Sequence, residues 1–393
     1  MKILLVNERT SIFGGVDKVV SDDFELLSRQ QDIKIRLFEI SNSDFLSSSL
    51  IKKTAVVLSS LLRNYKISEL QKEIDSFEPD IIHFHNIYNL LSYPVWAKIK
   101  PRKAKIVVHL HNYYPFCLNS FFHDGSNDCT LCYDKSSFFP GVMKRCYHNS
   151  FLKSLFVSLN RVTPQKFIRL TGRADLFITP GEDSLKRFTA LGIPAEKVVM
   201  VPNSVAISDH TGSSTGKEER KFITYIGNIS VPKGSDLIYN LAGSFPGEQF
   251  VIAGEKHSDY PVPEYINIPE NITFTGFVSG GEKAELLRHT RLFIYPSRLP
   301  ETGGLGCIEA MAYGAPVMCF NNGELSNIIR ENYNGKFFSS EDNNVMVKEL
   351  KEFLGYADLN KNIHENCINF ASQFSSLNRK NELIKTYTIL LGS

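Results

Sequence analysis

The chain has 393 residues, 42% hydrophobic and 22% charged, and 44 Lys and Arg against 42 Asp and Glu leave a formal net charge of +2. Single cores stop growing near ~250–300 residues, so this length predicts two domains. The balanced composition excludes a disordered chain and one that coats nucleic acid. No apolar run approaches the ~18–20 residues of a membrane-spanning helix. Seven cysteines behind a short apolar start, Ile3–Val6, are expected to sit in a reducing, cytoplasmic compartment.

In chain order, short β-rich runs alternate with helix-periodic segments: KILLV from Lys2, IKIRLFEI from Ile33, DIIHFH from Asp80, KIVVHLH from Lys105, DLFITP from Asp175 and KVVMVPN from Lys197. The composition then turns small and polar in SDHTGSSTGKEERK, a linker over 206–220. KFITYIG, QFVIAG, ITFTG, RLFIYP and APVMCF restart the alternation over 221–372. The expected fold is therefore α/β, with two Rossmann-like doubly wound domains facing a cleft. The first covers 1–205 with a loop-rich insertion near 113–148, and a terminal helix over 373–393 is expected to pack back on it.

One stretch carries distinctive chemistry: PETGGLGCIEAMAYGAPVM, Pro300 to Met318. Gly303, Gly304 and Gly306 permit close backbone approach to a ligand, and the helix that follows offers unpaired amides at its positive end, where an anion belongs. Glu301 ahead of the glycines can accept from hydroxyls, and Glu309, about two turns into the helix, can take a vicinal diol. A phosphate flanked by two sets of hydroxyls describes a sugar nucleotide. A tight turn before a solvated helix is the plain alternative, and spacing alone weighs the two about equally.

These residues, with FGGVDKVV, DIIHFHN, HLHNYYPF, VVMVPNSV, IGNISVPKG, VIAGE, ITFTGFV and LFIYPS in the same order, resemble the retaining glycosyltransferases of family 4. That family has the two-domain GT-B architecture and an E-x7-E motif, which Glu301 and Glu309 would occupy here. The resemblance implies sugar transfer from a nucleotide-sugar donor to a hydroxyl of a glycan or lipid-linked acceptor, in cell-surface polysaccharide synthesis at the cytoplasmic face of a membrane. It puts Gly14 and Gly15 near the donor phosphates, Lys233 on the diphosphate, Glu301 on the donor sugar, the Gly304 and Leu305 amides on phosphate and Glu309 on ribose. His111 falls in the catalytic cleft, His85 approaches it, and His83 is structural. Two positions depart from the pattern. Asn228 stands where many relatives carry arginine, with Arg298, Lys18 and Arg9 as candidate replacements, and His111-Asn112 replaces the usual His-Asp.

Cys117, Cys129, Cys132 and Cys146 crowd 30 residues, and Cys129 and Cys132 form the close pair of a tetrahedral zinc site, with His123 and His148 as further candidate ligands. Structural zinc and reduced thiols are even alternatives. Beyond them, Phe151, Leu152, Leu155, Phe156, Leu159 and Val162 recur at helical spacing among Lys153, Arg161, Lys166, Arg169 and Arg173. A core helix is the plainer reading and a surface leaning on anionic lipid the other. No D-x-D occurs, so catalysis is expected to need no metal cofactor. No nucleic-acid partner is expected. A sugar-nucleotide epimerase of the same architecture and a non-catalytic partner of an active transferase remain alternative functions.

Overall fold

The computed structural model describes residues 1–9, 14–41, 66–87, 91, 94–125, 127–206, 220–257 and 260–392. Most of the sequence-assigned linker, 207–219, lies outside them. The chain forms two compact units, 1–203 with 379–393, and 204–378.

In the first unit six parallel strands run in the order β2-β1-β3-β4-β5-β6. They are β1 (Lys2–Arg9), β2 (Lys34–Ser41), β3 (Ile81–Phe84), β4 (Lys105–His109), β5 (Leu176–Thr179) and β6 (Val198–Met200). The interior strands are apolar on both faces because helices cover both. Alternation splits the core in two. Leu4, Val6, Ile82, Phe84, Ile106 and Val108 point to one side, and Ile3, Leu5, Ile81, Val107 and Ile178 to the other. The second side is closed by Leu383 and Tyr387 of the helix Ser376–Leu391. Arg379 of that helix is buried against Asp23 of the helix Gly15–Ser28, with Nη2 2.6 Å from Oδ2, and it donates to the Pro202 carbonyl at 2.7 Å.

The second unit repeats the plan in the order β12-β11-β10-β7-β8-β9. Its strands are β7 (Phe222–Ile226), β8 (Gln249–Ala253), β9 (Ile272–Gly276), β10 (Thr290–Tyr295), β11 (Val317–Phe320) and β12 (Gly335–Phe338). The last of these, a four-residue edge strand containing Lys336, is too short to stand out as a periodic run. Strand order reverses between β7 and β10, and ligands of such sheets bind beyond the carboxyl ends at that crevice. No helix among the described residues is long and apolar enough to cross a membrane.

Candidate active site

The loops leaving β7 and β10 meet at this reversal. Lys233 closes the 3-10 turn Val231–Lys233, and its Nζ lies 2.5 Å from Oε1 of Glu301 and 3.1 Å from the Tyr295 hydroxyl. Ser297 Oγ donates to the same Oε1 at 2.7 Å and the Tyr295 hydroxyl at 3.2 Å, so three donors converge on one carboxylate oxygen. Among the described residues no hydrogen bond falls on Oε2. Burial depresses the Lys233 ammonium, but Glu301 and then Tyr225 outweigh it and hold its pKa above the ordinary lysine value.

Two glycines fix this geometry. Gly234 has φ +75°, and a Cβ there would stand 2.0 Å from the Pro296 carbonyl oxygen, so only glycine lets the Lys233 loop rest on the β10 loop. Gly323, at φ +58°, would put a Cβ 2.5 Å from both the amide nitrogen and the carbonyl oxygen of Glu301. Glu301 in turn accepts from the Glu324 amide at 2.8 Å.

Gly303 and Gly304 lead into the helix Leu305–Ala312, with Gly304 as its N-cap, so the Leu305 and Gly306 amides open the positive end. Glu309 sits on that helix, 12% exposed, and is ion-paired with Lys283. Arg298 does not stand ready as a substitute cation. Its guanidinium forks onto Asp236 at 2.8 and 2.9 Å, reaches Glu341 at 2.9 Å, and also donates to the Val231 carbonyl. Asn228 is exposed, and its backbone carbonyl accepts from the Tyr225 hydroxyl at 2.8 Å. The other two candidate cations lie in the first unit, Lys18 2.6 Å from Asp22 and Arg9 3.4 Å from Glu39.

In the first unit Gly14 caps the helix Gly15–Ser28, and its amide donates to Asp17 at 3.1 Å. His83 and His85 of the β3 segment and His109 and His111 of the β4 segment form a stack, with the His109 and His111 rings 3.9 Å apart and parallel within 6°. Nδ1 of His83 meets the Tyr387 hydroxyl at 2.7 Å and Nδ1 of His85 meets Nε2 of His111 at 3.2 Å. Burial, then Arg379, pushes His111 down to about 3, and burial with neighbouring charges holds the other three well below the usual range. Ring nitrogens of His83, His85 and His109 lie within 4.8 Å of one another. They are close enough to share an ion, but among the described residues no carboxylate is hydrogen-bonded to these rings, and the Arg379 cation opposes a dication. Asn112 bends the loop onward, its Oδ1 accepting from the Tyr114 amide at 3.0 Å, a turn role that Asn and Asp fill alike.

Cys117, Cys129, Cys132 and Cys146 of the insertion border a single small cavity. Burial, then the neighbouring thiols, pushes Cys132 up to about 11 and Cys146 up to about 12. The following helix, Phe151–Asn160, divides its apolar residues, Val157 being buried in the core of the insertion with Leu155 and Phe156 packed partly buried against it. Ser154, Val157 and Asn160 face inward, whereas Leu152 is 74% and Leu159 54% exposed. The next two residues, Arg161 and Val162, are buried, and Arg161 donates to the Cys117 carbonyl at 2.9 Å.

A model of the group 1 glycosyl transferases matches residues 208–370, and one of glycosyltransferase family 4 matches residues 52–209. The chain belongs to glycosyltransferase family 4. This glycosyltransferase is 24% identical over 61% of its length to an uncharacterized 41.2 kDa protein in the cps region of Klebsiella pneumoniae, covering 66% of that protein. It is 23% identical over 87% of its length to the alpha-galactosylglucosyldiacylglycerol synthase of Streptococcus pneumoniae, covering 86% of it. It also matches the sulfoquinovosyl transferase SQD2 of Arabidopsis thaliana at 29% identity over 36% of its length, spanning only 28% of that relative. Among solved structures, Anabaena HepE in complex with UDP-glucose aligns with a TM-score of 0.67 at 17% identity over 99% of both chains. The sucrose-phosphate synthase of Thermosynechococcus elongatus aligns at 0.72 and 14% identity, over 100% of this chain and 99% of that one. These likenesses establish the GT-B fold of the glycosyltransferase. Lys283 and Gly323 escape sequence reading, because a lysine on an exposed-looking helix and a glycine after a strand carry no motif of their own.

Proposed function

We propose that this glycosyltransferase moves a sugar from a nucleotide-sugar donor to a hydroxyl of a glycan or lipid-linked acceptor with retention of configuration. The observation that carries the reading is the Lys233–Glu301 pair at the strand-order reversal, beside the glycine-opened helix that bears Glu309. Lys233 would meet the diphosphate, and the Gly304 and Leu305 amides would add to it, so departing charge is stabilised by groups already oriented. The open Oε2 of Glu301 would accept from donor-sugar hydroxyls and Glu309 from the ribose. His111, neutral at physiological pH, would stand beside the reacting sugar as an acceptor or donor of hydrogen bonds without adding charge. No step in this scheme calls for a metal.

HepE was crystallised with UDP-glucose and the pneumococcal relative is a glycolipid synthase, which supports a nucleotide-sugar donor and a lipid-linked acceptor. The insertion supports contact with a membrane surface. The helix Phe139–Met143 packs on Phe151–Asn160, and Phe139, Met143, Phe151 and Leu152 stand exposed among Lys135, Arg145 and Lys153, an apolar face with a cationic border suited to anionic lipid. A second reading, a non-catalytic partner, draws on Asn228 and on the full engagement of Arg298. Incubation with a panel of isotope-labelled nucleotide sugars, with and without lipid-linked acceptors, is expected to give acceptor-dependent release of nucleoside diphosphate and a product whose NMR couplings keep the donor's anomeric configuration. Donor epimerised without acceptor, or donor bound but never turned over, would overturn the proposal.

A further inference from the structure

We propose that Cys117, Cys129, Cys132 and Cys146 form a closed four-thiolate site for a single structural zinc ion in the insertion that follows β4. The four come from three separate segments: the loop after β4, the two sides of the start of the helix Leu131–Asp134, and the turn after Phe139–Met143. All four line one cavity of about 10 Å³, the space of about one water-sized occupant and far below that of an iron–sulfur cluster. None of the seven cysteines is in a disulfide.

Backbone hydrogen bonds fix the segments that carry the cysteines. The Cys129 amide donates to the Phe122 carbonyl at 2.8 Å, the Cys146 amide to the Gly141 carbonyl at 2.9 Å, and the Cys132 carbonyl accepts from the Ser137 amide at 3.0 Å. Gly141 packs so closely that a Cβ there would lie 3.2 Å from Cys132 Sγ and 2.8 Å from Leu118 Cβ. His123 and Asp124 also line the cavity, but both already have partners. His123 Nδ1 accepts from the Gly125 amide at 3.0 Å, and Asp124 is 2.6 Å from the Lys144 ammonium. Cys117 Sγ also has a partner, donating to Asn119 Oδ1 at 2.9 Å, but the four thiols are the soft donors of this lining, and soft thiolates select zinc over magnesium or calcium. Four protein ligands leave no open position, so the ion would hold structure and take no part in sugar transfer.

The insertion also needs such a tie. Its own core is five buried residues, Leu118, Cys132, Phe138, Val142 and Val157, and its helices Leu131–Asp134 and Phe139–Met143 have four and five residues. Ser120, Phe122, Ser136, Arg145, His148 and Asn149 all have positive φ, between 45° and 73°, a conformation that L side chains adopt only when the surroundings enforce it. So small a core does not enforce it alone, and a metal–thiolate cross-link would.

The test uses the full-length reduced protein purified without chelators. Elemental analysis is expected to find about one zinc per chain, and replacement by cobalt is expected to bring in the sulfur-to-cobalt charge-transfer bands of thiolate ligation. Cys129→Ser, at the half-exposed ligand, is expected to lose most of the metal and those bands, and chelation of the wild type to lower its unfolding midpoint. Metal-free protein that shows no charge-transfer band on cobalt titration would overturn the proposal. So would disulfides among these four cysteines under non-reducing mass spectrometry, or bound metal with nitrogen-only ligation that Cys129→Ser leaves in place.

Discussion

Lys233 and Glu301 are 68 residues apart in the chain and 2.5 Å apart in the structure, each neutralising the other at the mouth of the strand-order reversal. A donor diphosphate would draw the ammonium toward itself, and the carboxylate so released would be free to turn to the sugar. Lys233→Ala is therefore expected to lower kcat by about 10²–10³, the scale of losing one preorganised group at a developing charge. Steady-state assays at saturating donor check this, and a thermal melt close to wild type shows that the fold survives.

The two carboxylates of the glycine loop should separate by ligand. Glu301→Ala is expected to abolish transfer while leaving the affinity for free nucleoside diphosphate near normal, since its partners are hydroxyls of a sugar that this ligand lacks. Glu309→Ala is expected to weaken the nucleoside diphosphate by about 1.5–3 kcal/mol through lost charge-assisted hydrogen bonds to ribose. Calorimetry with both variants checks the split, and equal impairment would remove the assignment.

Arg379 and Asp23 are each 1% exposed and doubly hydrogen-bonded to one another. Removing either partner strands a charge away from water, so Arg379→Met or Asp23→Leu is expected to cost about 3–5 kcal/mol. The double variant is expected to lose less than the sum of the two, because an apolar pair strands no charge. Urea unfolding of the singles and the double closes the cycle.

The histidine stack should make the first unit acid-sensitive. Its members titrate near 6.5 when unfolded, and in the fold His111 sits at about 3 with His83, His85 and His109 also depressed. The unfolded chain then binds more protons below that unfolded value. The stabilisation is full above it and is lost as pH falls through the window, by up to about 1.4 kcal/mol per pH unit for each histidine. Trp96 is the chain's single tryptophan and is buried in the first unit, so its fluorescence reports that unit alone. Unfolding midpoints are expected to fall from pH 7.5 to 5, and His109→Leu to flatten that dependence. Asp23, Arg379 and Tyr387 face the cluster, and of these only Asp23 is a carboxylate, buried against Arg379.

Most of the sheet architecture was legible in the sequence because buried parallel strands must be apolar runs. The strand that escaped, Gly335–Phe338, is four residues long at an edge. Glu301 was singled out by the chemistry of its loop and Lys233 by the family resemblance, but their mutual ion pair was not legible, since it depends on how two loops meet in space. The helix Phe151–Asn160 misled more deeply. Its apolar residues recur at helical spacing, yet only Val157, Leu155 and Phe156 turn toward the core, Ser154 and Asn160 share that inner face, and Leu152 and Leu159 stand outside, which spacing alone does not say. Arg298 was legible as a cation next to the motif, but not as one already spoken for by Asp236 and Glu341.

The burial of Leu383, Tyr387 and Arg379 against β1, β3 and the helix Gly15–Ser28 also bears on how the protein emerges from the ribosome. The half that is made first cannot close its second core face until residues 379–387 have been synthesised, whereas residues 204–378 form a contiguous unit. At about 5–20 residues per second the early half waits on the order of ten seconds or longer with Ile3, Leu5 and Val107 uncovered. The order of completion is the reverse of the order of synthesis, and the nascent first half is the segment with most need of a chaperone.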